Sequence, residues 1–264
     1  MIANRLPLAA AKLRMRITIA IIWRQLAGGA AAAIVLSAPA ARADRRTMIR
    51  AYEYATQPQG NLEFELWNDV LAPKAGGFDQ AAIEHRIELE YGITDHWDLA
   101  LYHVFAQQRG GEAFHFDSWR AETRYRLAEK GEWPVDLMLY FELERPADFT
   151  APFETEEKII LERDFGRFGL VANLVAEQSF LHAGDHHQWE IDAGLRYEVA
   201  PALRVALEGW TIQGTGARPR GWFVGPSVSV ATSKFWIQLG AGVGLGLGDT
   251  DSSAEIRSVL GFNL

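Results

Sequence analysis

Trp189-Glu-Ile-Asp-Ala-Gly-Leu-Arg-Tyr-Glu-Val199 alternates without a break. Trp189, Ile191, Ala193, Leu195, Tyr197 and Val199 fall on one side, and Glu190, Asp192, Gly194, Arg196 and Glu198 on the other. A period of two is the signature of a β-strand with one apolar face. The same rhythm recurs at Val135–Glu144, where Leu137, Leu139, Phe141 and Leu143 alternate with Asp136, Met138, Tyr140 and Glu142. It recurs again at Ile83–Tyr91, at Phe235–Leu247 and, closing the chain, at Ile256, Ser258, Leu260, Phe262 and Leu264. No amphipathic helix of comparable length competes with it.

Working outward, the pattern predicts twelve strands near 61–72, 80–92, 96–108, 115–128, 134–146, 154–165, 168–180, 187–199, 202–213, 220–232, 234–247 and 254–264. Tight turns alternate with longer connections. Gly92–Asp95, Lys130–Trp133, Phe165–Arg167, Ala200-Pro201 and Ser233 are short, whereas 73–79, 109–114, 147–153, 181–186, 214–219 and 248–253 are long. Short turns at one rim and long loops at the other, with an even strand count, predict an all-β fold: a twelve-stranded, up-and-down antiparallel transmembrane β-barrel over 61–264. The aromatics sort accordingly. On the apolar face, Trp119, Trp189 and Trp222 fall at long-loop ends, and Tyr91, Trp97, Tyr125 and Tyr197 at short-turn ends. Two girdles are expected where amphipathic rings meet two membrane interfaces.

The first 43 residues stand apart. They carry six of the chain's 26 basic residues and none of its 34 acids, then an apolar run to Leu36 and the small-residue site Ala41-Arg-Ala43. This predicts a secretory signal peptide, with translation starting at Met1 or Met15. The mature chain then has 20 basic and 34 acidic residues, a net of −14, which argues against nucleic acid as a partner. Residues 44–60 read as an extra strand or a periplasmic N-terminal segment. With no cysteine, disulfides, thiolate metal sites and cysteine nucleophiles are excluded.

By alternation the polar face carries Glu84, Arg86, Glu88, Glu90, Asp98, Arg120, Glu122, Arg124, Arg126, Asp136, Glu142, Glu190, Asp192, Arg196, Arg204 and Glu208. Acids outnumber bases. That predicts either a pore whose field favours cations or a barrel closed by internal ion pairs. Arg120, Arg124 and Arg126 face acid-rich segments at 84–90 and 136–144, which favours pairing across strands. Gly240, Gly242, Gly244, Gly246 and Gly248 alternate on the inward face, where glycine flattens the wall or admits a ligand, loop or plug. No cofactor is implied. His182, Asp185, His186 and His187 form a loop cluster with weak metal-binding character. An acyl hydrolase working at the lipid face would use His103 with a serine. Ser118, however, falls on the opposite phase, and no G-x-S-x-G elbow is present.

Two stretches carry a family likeness: Gln57-Pro-Gln-Gly-Asn-Leu-Glu-Phe-Glu-Leu66, and Glu88-Leu-Glu-Tyr-Gly-Ile-Thr-Asp-His-Trp-Asp-Leu-Ala-Leu-Tyr102. They resemble proteobacterial outer-membrane barrels of the transporter kind, among them the family named for the phenol meta-cleavage pathway. The resemblance is clearest over 57–105. It implies a Gram-negative outer-membrane barrel passing small or hydrophobic solutes, and it carries over no catalytic residues. Leu260, Phe262 and Leu264 match the alternating C-terminal signal of the barrel assembly machinery, with leucine where an aromatic residue is usual. Outer-membrane lipid, that machinery and small solutes are the expected partners. A closed structural or binding barrel is the alternative.

Overall fold

The computed structural model describes residues 46–107, 113–180, 186–214, 221–245 and 252–264. Twelve strands follow one another: β1 Leu62–Pro73, β2 Ala82–Thr94, β3 Trp97–Gln107, β4 His115–Arg126, β5 Asp136–Pro146, β6 Glu154–Phe165, β7 Phe168–Ser179, β8 His186–Ala200, β9 Leu203–Gly214, β10 Gly221–Ala231, β11 Phe235–Leu245 and β12 Ser252–Asn263. Each pairs antiparallel with its sequence neighbours, and β1 pairs with β12 to close the barrel. The closing register sets Phe64 opposite Phe262 and Asp69 opposite Arg257. Closure leaves no edge strand, so the backbone ladder of the wall is complete.

The side chains are sorted inversely to a soluble protein. Along β3, Leu99 and Leu101 are 44% and 58% exposed, whereas Ala100, Tyr102 and Val104 between them are buried. Glu63, Glu65, Glu88, Glu90 and Glu122 are all at most 2% exposed. Apolar side chains face outward and carboxylates inward, which suits a wall standing in hydrocarbon. No helix among the described residues is long and apolar enough to cross a membrane; the only helical element among them is a short 3-10 turn, Gly77–Gln80.

The turns agree with their sequences except at one place. Gly166 has φ +62 between the paired Phe165 and Phe168, as the first central position of a tight hairpin turn demands. The connection expected to be tight at Lys130–Trp133 is wider. Strand β4 ends at Arg126 and β5 starts at Asp136. The intervening chain turns at Gly131 (φ +82), whose N–H donates to Asp136 Oδ1 at 2.6 Å. Strand β2 begins later than its periodicity suggests, because Gly77–Gln80 is wound into the 3-10 turn.

Candidate functional site: a lumen occupied by the chain's own N-terminal segment

Residues 46–57 lie inside the barrel. Their peptide groups have no ladder to join, so most of their N–H groups turn to side-chain acceptors. The wall supplies one after another. Gln57 N–H donates to Asp98 on β3 (2.9 Å) and Tyr54 N–H to Glu162 on β6 (2.6 Å). Asn173 on β7 binds Tyr52 twice, accepting its N–H at 2.6 Å and donating to its carbonyl at 3.0 Å. Glu208 on β9 accepts from Ile49, Arg50 and Ala51 at 2.6, 2.8 and 3.2 Å. Arg257 on β12 donates to the Ile49 carbonyl.

Side chains complete the hold. Arg50 makes a two-pronged pair with Glu190 on β8 (2.5 and 2.6 Å). Glu53 accepts from Arg196 at 3.0 Å and from Thr47 N–H at 2.6 Å. Tyr54 Oη donates to the Ala128 carbonyl at 2.5 Å, tying the segment to the wide β4–β5 turn. Arg46 lies over the Tyr52 and Trp67 rings, 3.8 and 4.6 Å from their centroids. Contacts to seven strands around the ring place the segment in the lumen. The reading of 44–60 as an extra strand or periplasmic extension is corrected accordingly for 46–57. The physical reason is the surplus of inward carboxylates, which needs donors that the paired wall cannot give.

Apolar inward residues pack on the segment. Tyr52 and Tyr54 cluster with Met138, Tyr140 and Ile160. Met48 and Ala51 meet Val171 and Ala206, and Ile49 meets Trp210 and Phe223. Glycines make the room. A Cβ on Gly194 would overlap the Met48 side chain, one on Gly240 the Ile49 side chain, and one on Gly242 the Trp210 ring. The inward glycines of β11 therefore serve close approach as well as the shape of the wall; Gly246 and Gly248 lie outside the described residues.

None of the sixteen charged residues expected on the polar face is exposed. Many are paired. Arg124 contacts Asp98 (2.7 Å), Glu122 (3.4 Å) and Glu90. Arg120 contacts Glu144 (2.9 Å) and Glu142 (3.5 Å). Arg86 contacts Glu84 (2.6 Å) and Asp69 (2.8 Å), and Asp69 also takes Arg257 (2.5 Å). Arg196 bridges Glu162 (3.0 Å) and Asp164 (2.5 Å). Arg204 faces Glu198 at 3.5 Å near the short-turn rim, and Arg126 donates to the Asp95 carbonyl. Strand β4 is flanked by β3 and β5. The 136–144 neighbour is therefore direct, whereas Glu90 on β2 is reached across β3. Glu88 shares the Trp67 indole N–H with Glu65, at 2.8 and 2.7 Å. Asp192 is buried beside Glu190.

The segment leaves a cavity of about 210 Å³. Arg50, Arg86, Arg120, Lys158 and Arg257 line it with Asp69, Glu84, Glu142, Glu156, Glu177, Glu190 and Glu255. A second cavity of about 160 Å³ shares Arg120, Glu142, Glu156 and Glu177 and extends to Glu144 and Glu154. Both are lined mainly by charge.

On the outer wall, Tyr91, Trp97, Trp119, Tyr125, Trp189 and Trp222 are exposed, and Tyr197 is half-buried against Phe168 (4.8 Å). His103 is also outward, 6.0 Å from the Phe116 ring. Ser118 is fully buried on the inner side; it is paired in register with Val104, not His103. The hydrolase pair is thus split across the wall. His182 and Asp185 lie outside the described residues, as does the side chain of His186; His187 is exposed at the start of β8. Among the described residues no three His, Asp or Glu side chains form a metal-holding group.

A closed antiparallel barrel with an apolar outer wall and a charged lumen is a transmembrane β-barrel. Solved structures share this fold. The chain is similar in fold to an outer-membrane channel from Pseudomonas putida F1, at 14% identity and TM-score 0.57 over 82% of this chain and 100% of that one. It is also similar to the NanC porin (8% identity, TM-score 0.57, 76% of this chain and 100% of that one). The KdgM porin aligns at 10% identity and TM-score 0.53, over 76% and 99%. No family model matches the chain, and no curated protein matches it in sequence.

Proposed function

We propose that the protein is an outer-membrane channel for small polar solutes, exported by the signal peptide 1–43 and narrowed by its own N-terminal segment. The carrying observation is a charged cavity of about 210 Å³ inside a wall whose outside is apolar. Water and small ions fit such a space; large solutes do not. Seven acids against five bases line it, which supports a modest preference for cations. The fold shared with channels and porins supports passive passage. The 57–105 motifs support kinship with the phenol meta-cleavage family. In this reading the exposed aromatic girdles meet the lipid interfaces, and the C-terminal strand carries the assembly signal.

The second reading is a closed binding barrel, favoured by the depth at which residues 46–57 are held. The opposite orientations of His103 and Ser118 give an acyl hydrolase no support. The test is conductance of refolded chain 44–264 in a planar bilayer under a KCl gradient. Small discrete steps reversing toward the cation potential are expected. Folded protein that never conducts would make the barrel closed, and reversal on the anion side would overturn the cation preference.

A further inference from the structure

The wall of the lumen does more than fill space around residues 46–57. Its side chains bind the backbone of that segment: Asp98, Glu162, Asn173 and Glu208 accept its N–H groups, and Asn173 and Arg257 donate to its carbonyls. Backbone recognition of this kind is independent of the ladder, which the twelve strands complete without it. Side-chain specificity is added by recesses. Gly194 and Gly240 lie under Met48 and Ile49, and Glu190 takes Arg50. Acceptors for successive N–H groups, recesses for two neighbouring side chains and a carboxylate for a basic residue are the parts of a peptide-binding site.

We propose that the lumen is a binding site for a bent, basic peptide segment, occupied at rest by residues 46–57 as a tethered ligand, and that release of this segment widens the channel. The widening rests on the channel reading above; occupancy and release do not. Release leaves the barrel ladder intact, because the segment is joined to β1 only through the turn at Pro58–Asn61. That turn is held by hydrogen bonds between Gly60, Gly92 and Asn61. It is the hinge about which the segment leaves.

A reporter independent of conduction tests this. The chain has no cysteine, so Thr47→Cys introduces a unique thiol at a fully buried position whose hydroxyl has no hydrogen-bond partner. In the full mature chain a bulky maleimide is expected to label it slowly. Gly194→Leu places a side chain where Met48 sits. It is expected to speed labelling by roughly tenfold or more, in line with local rather than global opening. Adding Met48→Ala in the same chain moves the bulk from segment to wall and is expected to restore protection. Should Gly194→Leu fail to fold on an unboiled gel, Asn173→Ala removes both Tyr52 hydrogen bonds without added bulk and carries the same expectation. Labelling of the introduced thiol, in a chain with no other substitution, as fast as in denatured chain would overturn the proposal. So would unchanged labelling in a folded Gly194→Leu or Asn173→Ala chain. In bilayers the released variants are expected to show larger steps. Released but non-conducting protein would refute the channel reading and the widening while leaving the binding site standing.

Discussion

Glu208→Ala tests how the lumen holds its segment. One carboxylate accepts three consecutive backbone N–H groups, from Ile49, Arg50 and Ala51. Removing it leaves three donors without acceptors in a mostly buried place. An unsatisfied donor costs about 1–3 kcal/mol, and water from the adjacent cavity brings each to the low end. The loss is then about 3 kcal/mol, or roughly 150-fold in the ratio of seated to unseated residues 49–51. The flanks keep their partners: Tyr52 on Asn173, Tyr54 on Glu162 and Gln57 on Asp98. Hydrogen–deuterium exchange read by NMR in micelles should show amides 49–51 exchanging about 100-fold faster. Amides 54 and 57 should change far less. Unchanged exchange at 49–51 would refute the hydrogen-bond account. An equal change along the whole segment would refute the independence of its anchors.

Other outcomes follow from the same geometry. Arg124→Met strips the cation from Asp98, Glu90 and Glu122, and breaking a buried pair from one side costs about 3–5 kcal/mol. The compact band on unboiled gels should therefore unfold at a clearly lower temperature, and an unchanged midpoint would contradict the network. At the short-turn rim, His96 Nε2 lies 2.7 Å from Glu129 Oε1, and that hydrogen bond, with the His96 charge, holds the Glu129 carboxyl below its ordinary pKa. A lowered folded pKa stabilises above the usual glutamate range, and the contribution is lost as pH falls through the lowered value. Carboxyl NMR titration should show Glu129 returning to the ordinary range in His96→Ala, with little change in melting because the pair is exposed.

The wall was legible because a period of two survives any choice of residue. Ile191, Leu195 and Val199 mark a lipid-facing row whether Glu190 pairs with a strand or with something else. The occupant was not legible. Thr47–Thr56 has no period, and nothing in Glu208 or Asn173 alone says that its partner is a peptide N–H some 120 to 160 residues away. The signal present was indirect: an acid surplus on the polar face and glycines at 194, 240 and 242 where the wall needed side chains. Alternation puts Trp236 on the inward phase with Gln238 and the glycines, and it is buried there. Trp67 and Trp210 share the polar phase of their strands and pack the lumen, where alternation alone leads one to expect charge. The wider β4–β5 connection carries Ala128, whose carbonyl accepts from Tyr54, a tertiary contact that local turn chemistry does not encode.

The central claim is the inverted polarity of the wall, and tryptophan fluorescence in bilayers of bromine-labelled lipid tests it most directly. Variants retaining a single tryptophan at Trp189, Trp222 or Trp119 should be strongly quenched, because these rings are exposed on the outer wall. Variants retaining only Trp67, Trp210 or Trp236 should be quenched weakly, because these rings are buried within the lumen. The reverse order, or no quenching at any position from folded protein, would contradict a lipid-facing apolar wall and with it the channel.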